Sequence, residues 1–108
     1  MQCNFQVAIL TLAFSVPFLR AQTPSLPGLP QVELTDFHPA VRDQVQEAYT
    51  AARANPRDAN ASGKFGMLLD LYKRREPAAI CYGRAHRLDP RAFRWLYYLG
   101  SLQSAQGK

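Results

Sequence analysis

From Phe37 onward, apolar residues recur at steps of three and four. Val41, Val45, Ala48, Tyr49 and Ala52 make one stripe, in a segment that Pro39 opens and Asn55-Pro56 closes. Ala61, Phe65, Leu68, Leu69 and Tyr72 make a second, with Asp58 placed to cap its start. A third runs from Glu76-Pro77 through Ala78, Cys81, Tyr82, Ala85 and Leu88 to Asp89-Pro90. The fourth opens at Arg91 and carries Phe93, Leu96, Leu99 and Leu102. The pattern predicts four helices joined by turns of a few residues, an all-α architecture that excludes a sheet protein.

Upstream the pattern changes twice. Residues 22–36, QTPSLPGLPQVELTD, hold Pro24, Pro27, Pro30 and Gly28 with little periodicity, and read as an extended proline-rich linker. Residues 7–19 are an uncharged apolar run, long enough for the hydrophobic region of a secretory signal peptide and too short to span a bilayer, which takes about 20 residues. The expected signal is 1–21, with cleavage after Ala21, and the chain is expected to be exported to the periplasm or the extracellular space. The stretch MQCNFQ carries no lysine or arginine, which leaves an N-terminal core or anchoring helix as the alternative. Cleavage would remove Cys3 and Arg20, leaving Cys81 as a lone thiol with no internal disulfide and no stable membrane span.

Two spacings then define a repeat. Asn55-Pro56-Arg57 and Asp89-Pro90-Arg91 stand 34 residues apart, and so do Gly66 and Gly100. With two helices per unit, this resembles the tetratricopeptide repeat, whose pattern is W-x2-L-G-x2-Y, then A-x3-F, a further alanine and a closing proline. Residues 59–92 supply Phe65-Gly66, Ala78 and Tyr82, Ala85 and Pro90, while Ser62 and Leu69 miss the outer aromatics. The resemblance implies one complete repeat over 59–92 inside a helical domain at 37–108, with a flanking half-repeat on each side, as a short right-handed α-solenoid of antiparallel helix-turn-helix units. Gly66 is expected to face Ala78 and Ala85, with Tyr82 filling the space beside them and Gly100 restarting the scheme. Residues 39–54 match the second helix of a preceding unit but lack the Ala-x3-aromatic step, and are expected to act as a cap. The fourth helix has no successor, so further repeats or a second copy are expected to cover it.

The resemblance also implies a binding groove along the first helix of each unit. Its positions fall on Asn60, Met67 and Asp70, then on Arg94, Tyr97 and Ser101. The expected ligand is a protein or peptide, either extended or helical. The carboxylate clamp that some members use to hold chaperone tails needs Lys-x3-Asn, but Lys64 is followed by Leu68, so that specialisation is unsupported.

Charge and chemistry narrow the picture further. A formal net charge of +5 over 108 residues brings nucleic acid, anionic lipid and acidic proteins forward as partners. Arg84, Arg87, Arg91 and Arg94 fall between the apolar positions and are expected to lie mostly in solvent, with an acidic partner the reading their charge favours. "GKFGMLL" offers only a fragment of an RNA-binding run inside a helical period, so nucleic acid is not expected. No nucleophile–base pair, phosphate loop or metal-ligand spacing appears, so neither catalysis nor a cofactor is expected. Cys81 reads as a small buried hydrophobe, and His38 and His86 as capping or surface residues. The sequence therefore points to an exported bacterial scaffold that binds proteins through its groove. The alternative is the N-terminal docking module of a longer, truncated enzyme or multidomain secreted protein.

Overall fold

The computed structural model describes residues 26–107, so the expected signal peptide and the first part of the linker lie outside the described residues. Four helices follow one another, each packed antiparallel to the last: α1 (Pro39–Ala54), α2 (Ala59–Leu71), α3 (Arg75–Leu88) and α4 (Phe93–Ala105). The α2–α3 pair is in the most extensive contact, flanked by α1 on one side and α4 on the other.

Local chemistry sets the boundaries. Pro39 is the first residue of α1, and the preceding His38 accepts the Ala40 N–H on Nδ1 at 3.2 Å. Asp58 caps α2 by accepting from the Asn60 and Ala61 amides. The Asn55-Pro56-Arg57-Asp58 turn closes with the Asp58 N–H donating to the Asn55 carbonyl at 3.0 Å. Asp89-Pro90-Arg91-Ala92 repeats it, with the Ala92 N–H on the Asp89 carbonyl at 3.2 Å. Proline suits the second position of such a turn because its φ is already set. Pro90 therefore belongs to the turn and α4 starts at Phe93, two residues later than the apolar pattern suggests. Lys73 leaves α2 in the left-handed region at φ 63°, and the next amide, of Arg74, donates back to the Leu69 carbonyl at 2.8 Å.

The core follows the expected stripes through three helices. Val45 and Ala52 of α1, Phe65 and Leu69 of α2, and Ala78, Cys81, Tyr82 and Ala85 of α3 are all buried. A Cβ on Gly66 would stand 2.9 Å from the Cys81 Cβ and 3.1 Å from the Tyr82 ring, closer than packed carbon atoms sit. The close approach is as expected, but the residues nearest to Gly66 are Cys81 and Tyr82, whereas the sequence reading put Ala78 and Ala85 there.

The fourth helix departs from expectation in part. Leu102 is buried and Leu99 packs against the core as expected, but Trp95 is buried while Phe93 is 71% and Leu96 45% exposed. The Trp95 ring lies against Gly63, where any Cβ would overlap it, so the glycine surface chooses which face of α4 turns inward. Gly100, expected to pack like Gly66, is exposed and meets open space.

The proline-rich segment is extended but not detached from the domain. Leu29, Val32 and Leu34 pack against the core, and residues Leu34–Asp36 form a 3-10 turn. The Arg42 Nε donates to the Leu34 and Phe37 carbonyls at 3.0 Å each, and Arg74 donates to the Asp36 carbonyl at 2.6 Å. Residues 26–37 thus form a strap held against α1 and against Arg74 at the start of α3.

The two glycines predict opposite responses. Gly66→Ala forces α2 and α3 apart and is expected to cost about 1–2 kcal/mol net, the overpacking penalty exceeding the gain in helix propensity. Gly100→Ala meets nothing and is expected to add up to about 1 kcal/mol. Urea denaturation followed by circular dichroism reads both.

Candidate functional site

Asn60 on α2 and Arg94 on α4, 34 positions apart, meet between the two helices. The Arg94 guanidinium donates to the Asn60 side-chain oxygen and lies 4.3 Å from the centre of the Trp95 ring, so its charge is held over an aromatic face. Met67 is 43% exposed, Tyr97 58%, and Ser101 is also exposed. Tyr97 and Ser101 share an open face of α4 with Phe93, Leu96 and Gly100. Tyr97 is steadied by ring contacts to Phe93 at 6.2 Å and Tyr98 at 5.9 Å.

Asp70 is engaged with the interior. Its Oδ2 accepts from the Tyr82 hydroxyl at 3.1 Å, which ties the C-terminal part of α2 to α3. Of the six expected groove residues, then, Asn60 and Arg94 are joined, Met67, Tyr97 and Ser101 face solvent, and Asp70 serves the helix packing. Leu71, 66% exposed and one helical turn beyond Met67, extends the apolar strip on α2 and was not anticipated.

Tyr82 organises the packing behind that surface. Its ring stacks on Trp95 at 6.5 Å and lies 5.6 Å from Tyr98. Burial first, then the adjacent Asp70 carboxylate, push its phenol well above the ordinary value of 10.0. Burial likewise raises the Cys81 thiol from 9.0 to about 12, against a smaller lowering by the Arg84 charge. A thiol this buried and this weakly acidic is no nucleophile at neutral pH.

Arg84 departs from the expectation that the four arginines lie mostly in solvent. It is only 6% exposed. Its Nε donates to the Ser62 hydroxyl at 3.1 Å, and its two terminal nitrogens reach the Pro27 carbonyl at 2.5 Å and the Pro56 carbonyl at 2.6 Å. One side chain joins α3 to α2, to the α1–α2 turn and to the strap. Arg91 and Arg94 are exposed as expected.

Among the described residues, no group of three or more His, Cys, Asp or Glu side chains is placed to hold a metal ion. No described helix is long and apolar enough to cross a membrane. Comparison with protein-family models, with curated proteins and with solved structures finds no match to this chain.

Two measurements test this geometry. Arg84→Ala strands the Ser62 hydroxyl and two carbonyls, and is expected to cost about 3 kcal/mol and to open the strap to limited proteolysis between residues 26 and 37. Because the folded chain holds the Cys81 thiol neutral, its contribution to stability is complete below pH 9 and is lost as pH rises toward 12. The slope reaches about 1.4 kcal/mol per pH unit while the thiolate forms only in the unfolded chain. Urea melts of the native chain and of Cys81→Ala at rising pH should show a shallower alkaline decline in the variant.

Proposed function

We propose that this chain is an exported scaffold of the tetratricopeptide type, a short right-handed solenoid that binds a peptide or partner helix along α2 and α4. The observation that carries this reading is that the 34-residue spacing recurs as geometry. The same turn closes at Asn55–Asp58 and at Asp89–Ala92, and Asn60 meets its counterpart Arg94. A helical hairpin built on Gly66, Cys81 and Tyr82 occupies the span between those turns.

The surface chemistry suggests the ligand. Met67, Leu71 and Tyr97 present apolar side chains that water leaves readily, and thioether and phenol surfaces accommodate varied partners. Arg94 adds a positive charge already held in place by Asn60 and Trp95, so little side-chain freedom remains to be lost on binding. A short segment with one or two apolar anchors and an acidic residue fits this combination. Export rests on the apolar 7–19 run and the residues that follow it.

Selection of random peptides displayed on phage against the purified chain tests the reading. Enriched peptides are expected to combine an apolar anchor with Asp or Glu, and to bind the Met67→Ala, Tyr97→Ala double variant at least tenfold more weakly, a loss of about 1.4 kcal/mol. Enriched peptides that bind the double variant as tightly as the native chain would remove this surface as the binding site.

A further inference from the structure

The two ends of the domain are matching halves of the interface at its centre. At the N-terminal end, an open cleft of about 260 Å³ between α1 and α2 is lined by Gln44, Glu47, Ala48, Ala51, Ala61 and Lys64. Adding 34 to each of these positions gives Ala78, Cys81, Tyr82, Ala85, Trp95 and Tyr98. In the middle of the domain those are the residues of α3 and α4 that enclose α2: Cys81 and Tyr82 press on Gly66, and the Trp95 ring on Gly63. Among the described residues nothing fills this cleft, which has the shape of a seat for a helix with the register of α2.

The other end supplies such a helix. The open face of α4 includes Leu96, Tyr97 and Gly100, and these stand 34 residues after Ser62, Gly63 and Gly66, all fully enclosed within the domain. On α4 the same three positions are exposed. Side-chain sizes also match in reverse. Inside the domain a glycine, Gly63, receives the large Trp95; between the two ends the large Tyr97 would meet the small Ala61. Gly100 would meet Glu47 and Ala48, the counterparts of the Cys81 and Tyr82 that press on Gly66. The strap leaves this seat clear, because it lies along a different face of α1, beside Val45, Gln46 and Tyr49.

We infer that the chain self-associates head to tail, α4 of one copy seating in the α1–α2 cleft of the next so that two half-units complete one repeat. The contact is heterologous: each copy uses two different faces, and every addition leaves one of each free. The inference rests on the 34-residue register and not on peptide binding, so masses and peptide affinities can fail separately.

Sedimentation velocity of the purified chain across a broad concentration series tests it. The weight-average mass is expected to rise with concentration and to pass that of a dimer. Gly100→Arg blocks the α4 face and Ala51→Arg blocks the cleft; both positions are exposed, and Gly100 faces open space, so both variants retain the helical spectrum. Each variant alone should sediment as a monomer, and an equal mixture should give a one-to-one dimer and nothing larger. A native chain that stays monomeric at every concentration overturns the inference. So does an Ala51→Arg variant that still dimerises, which would indicate a symmetric α4–α4 contact, or a mixture that fails to pair.

Discussion

The distance between α2 and α3 is fixed at one place, and most of the architecture follows from it. Because no Cβ occupies the space over Gly66, the Cys81 Cβ and the Tyr82 ring sit almost on the α2 backbone. Tyr82 is then held in one orientation by its hydroxyl on Asp70, and its ring offers a flat surface to Trp95 and Tyr98. That surface, with the bare backbone at Gly63, seats α4 by its Trp95 side. Two glycines three residues apart thus give α2 two shallow faces, one for each neighbouring helix. Each forgoes about 1 kcal/mol of helix propensity, which aromatic burial of about 1.5–3 kcal/mol per side chain offsets.

Arg84 acts at the opposite end of the same helix pair and by different physics. Burying a guanidinium costs several kcal/mol in lost hydration, and the three groups that receive it here, a hydroxyl and two carbonyls, are neutral. Hydrogen bonds to a charged group return about 1.5–3 kcal/mol each, so the arrangement comes close to balance. Its main effect is positional. The Pro27 and Pro56 carbonyls converge on one planar fork, which fixes the strap and the first turn against α3. The strap also lies along α1 beside Val45 and Tyr49, with the Phe37 ring under the Arg74 guanidinium and edge-on to Tyr72.

Much of this was legible in the sequence where a residue acts on its own neighbours. The limits of α1 follow from Pro39 and Asn55-Pro56, the α2 cap from Asp58, and the paired turns from their prolines. The 34-residue register also singled out Asn60 and Arg94, which the structure joins by a side-chain hydrogen bond. What was missed depends on who the neighbour is. Arginine reads as solvent-seeking, and nothing local to residue 84 announces that Ser62, Pro56 and Pro27 converge there. On α4 the three-and-four step through Phe93, Leu96, Leu99 and Leu102 placed Leu99 and Leu102 correctly but missed Trp95, which takes the inward place expected of Phe93 and Leu96 because its partner surface is the glycine at 63; the Gly-x2-Gly step was the available signal. In the linker, prolines masked Leu29, Val32 and Leu34, whose recurrence marks a segment that packs. Asp70 was placed in the groove by register alone, which takes no account of the Tyr82 hydroxyl within reach.

The difference in polarity between the centre and the ends bears on how such a molecule can be used. Inside the domain the seat for α2 is walled by Ala78, Cys81, Tyr82, Ala85 and Trp95, all buried, and its formation is part of folding. The corresponding seat at the N-terminal end replaces Cys81 with Glu47, Tyr98 with Lys64 and Tyr82 with Ala48. It offers a helix less apolar area and asks it to displace water from two charges, each of which must find a partner or remain hydrated. A helix docking there gains far less than α2 does, and association carries an entropic cost that intramolecular packing avoids. In the proposed assembly the same 34-residue register would give one permanent interface inside the domain and one reversible interface between copies. Because Tyr97 and Ser101 lie on one face of α4, a second copy seated there would compete with a peptide bound there, so the two proposed uses of this face would be coupled.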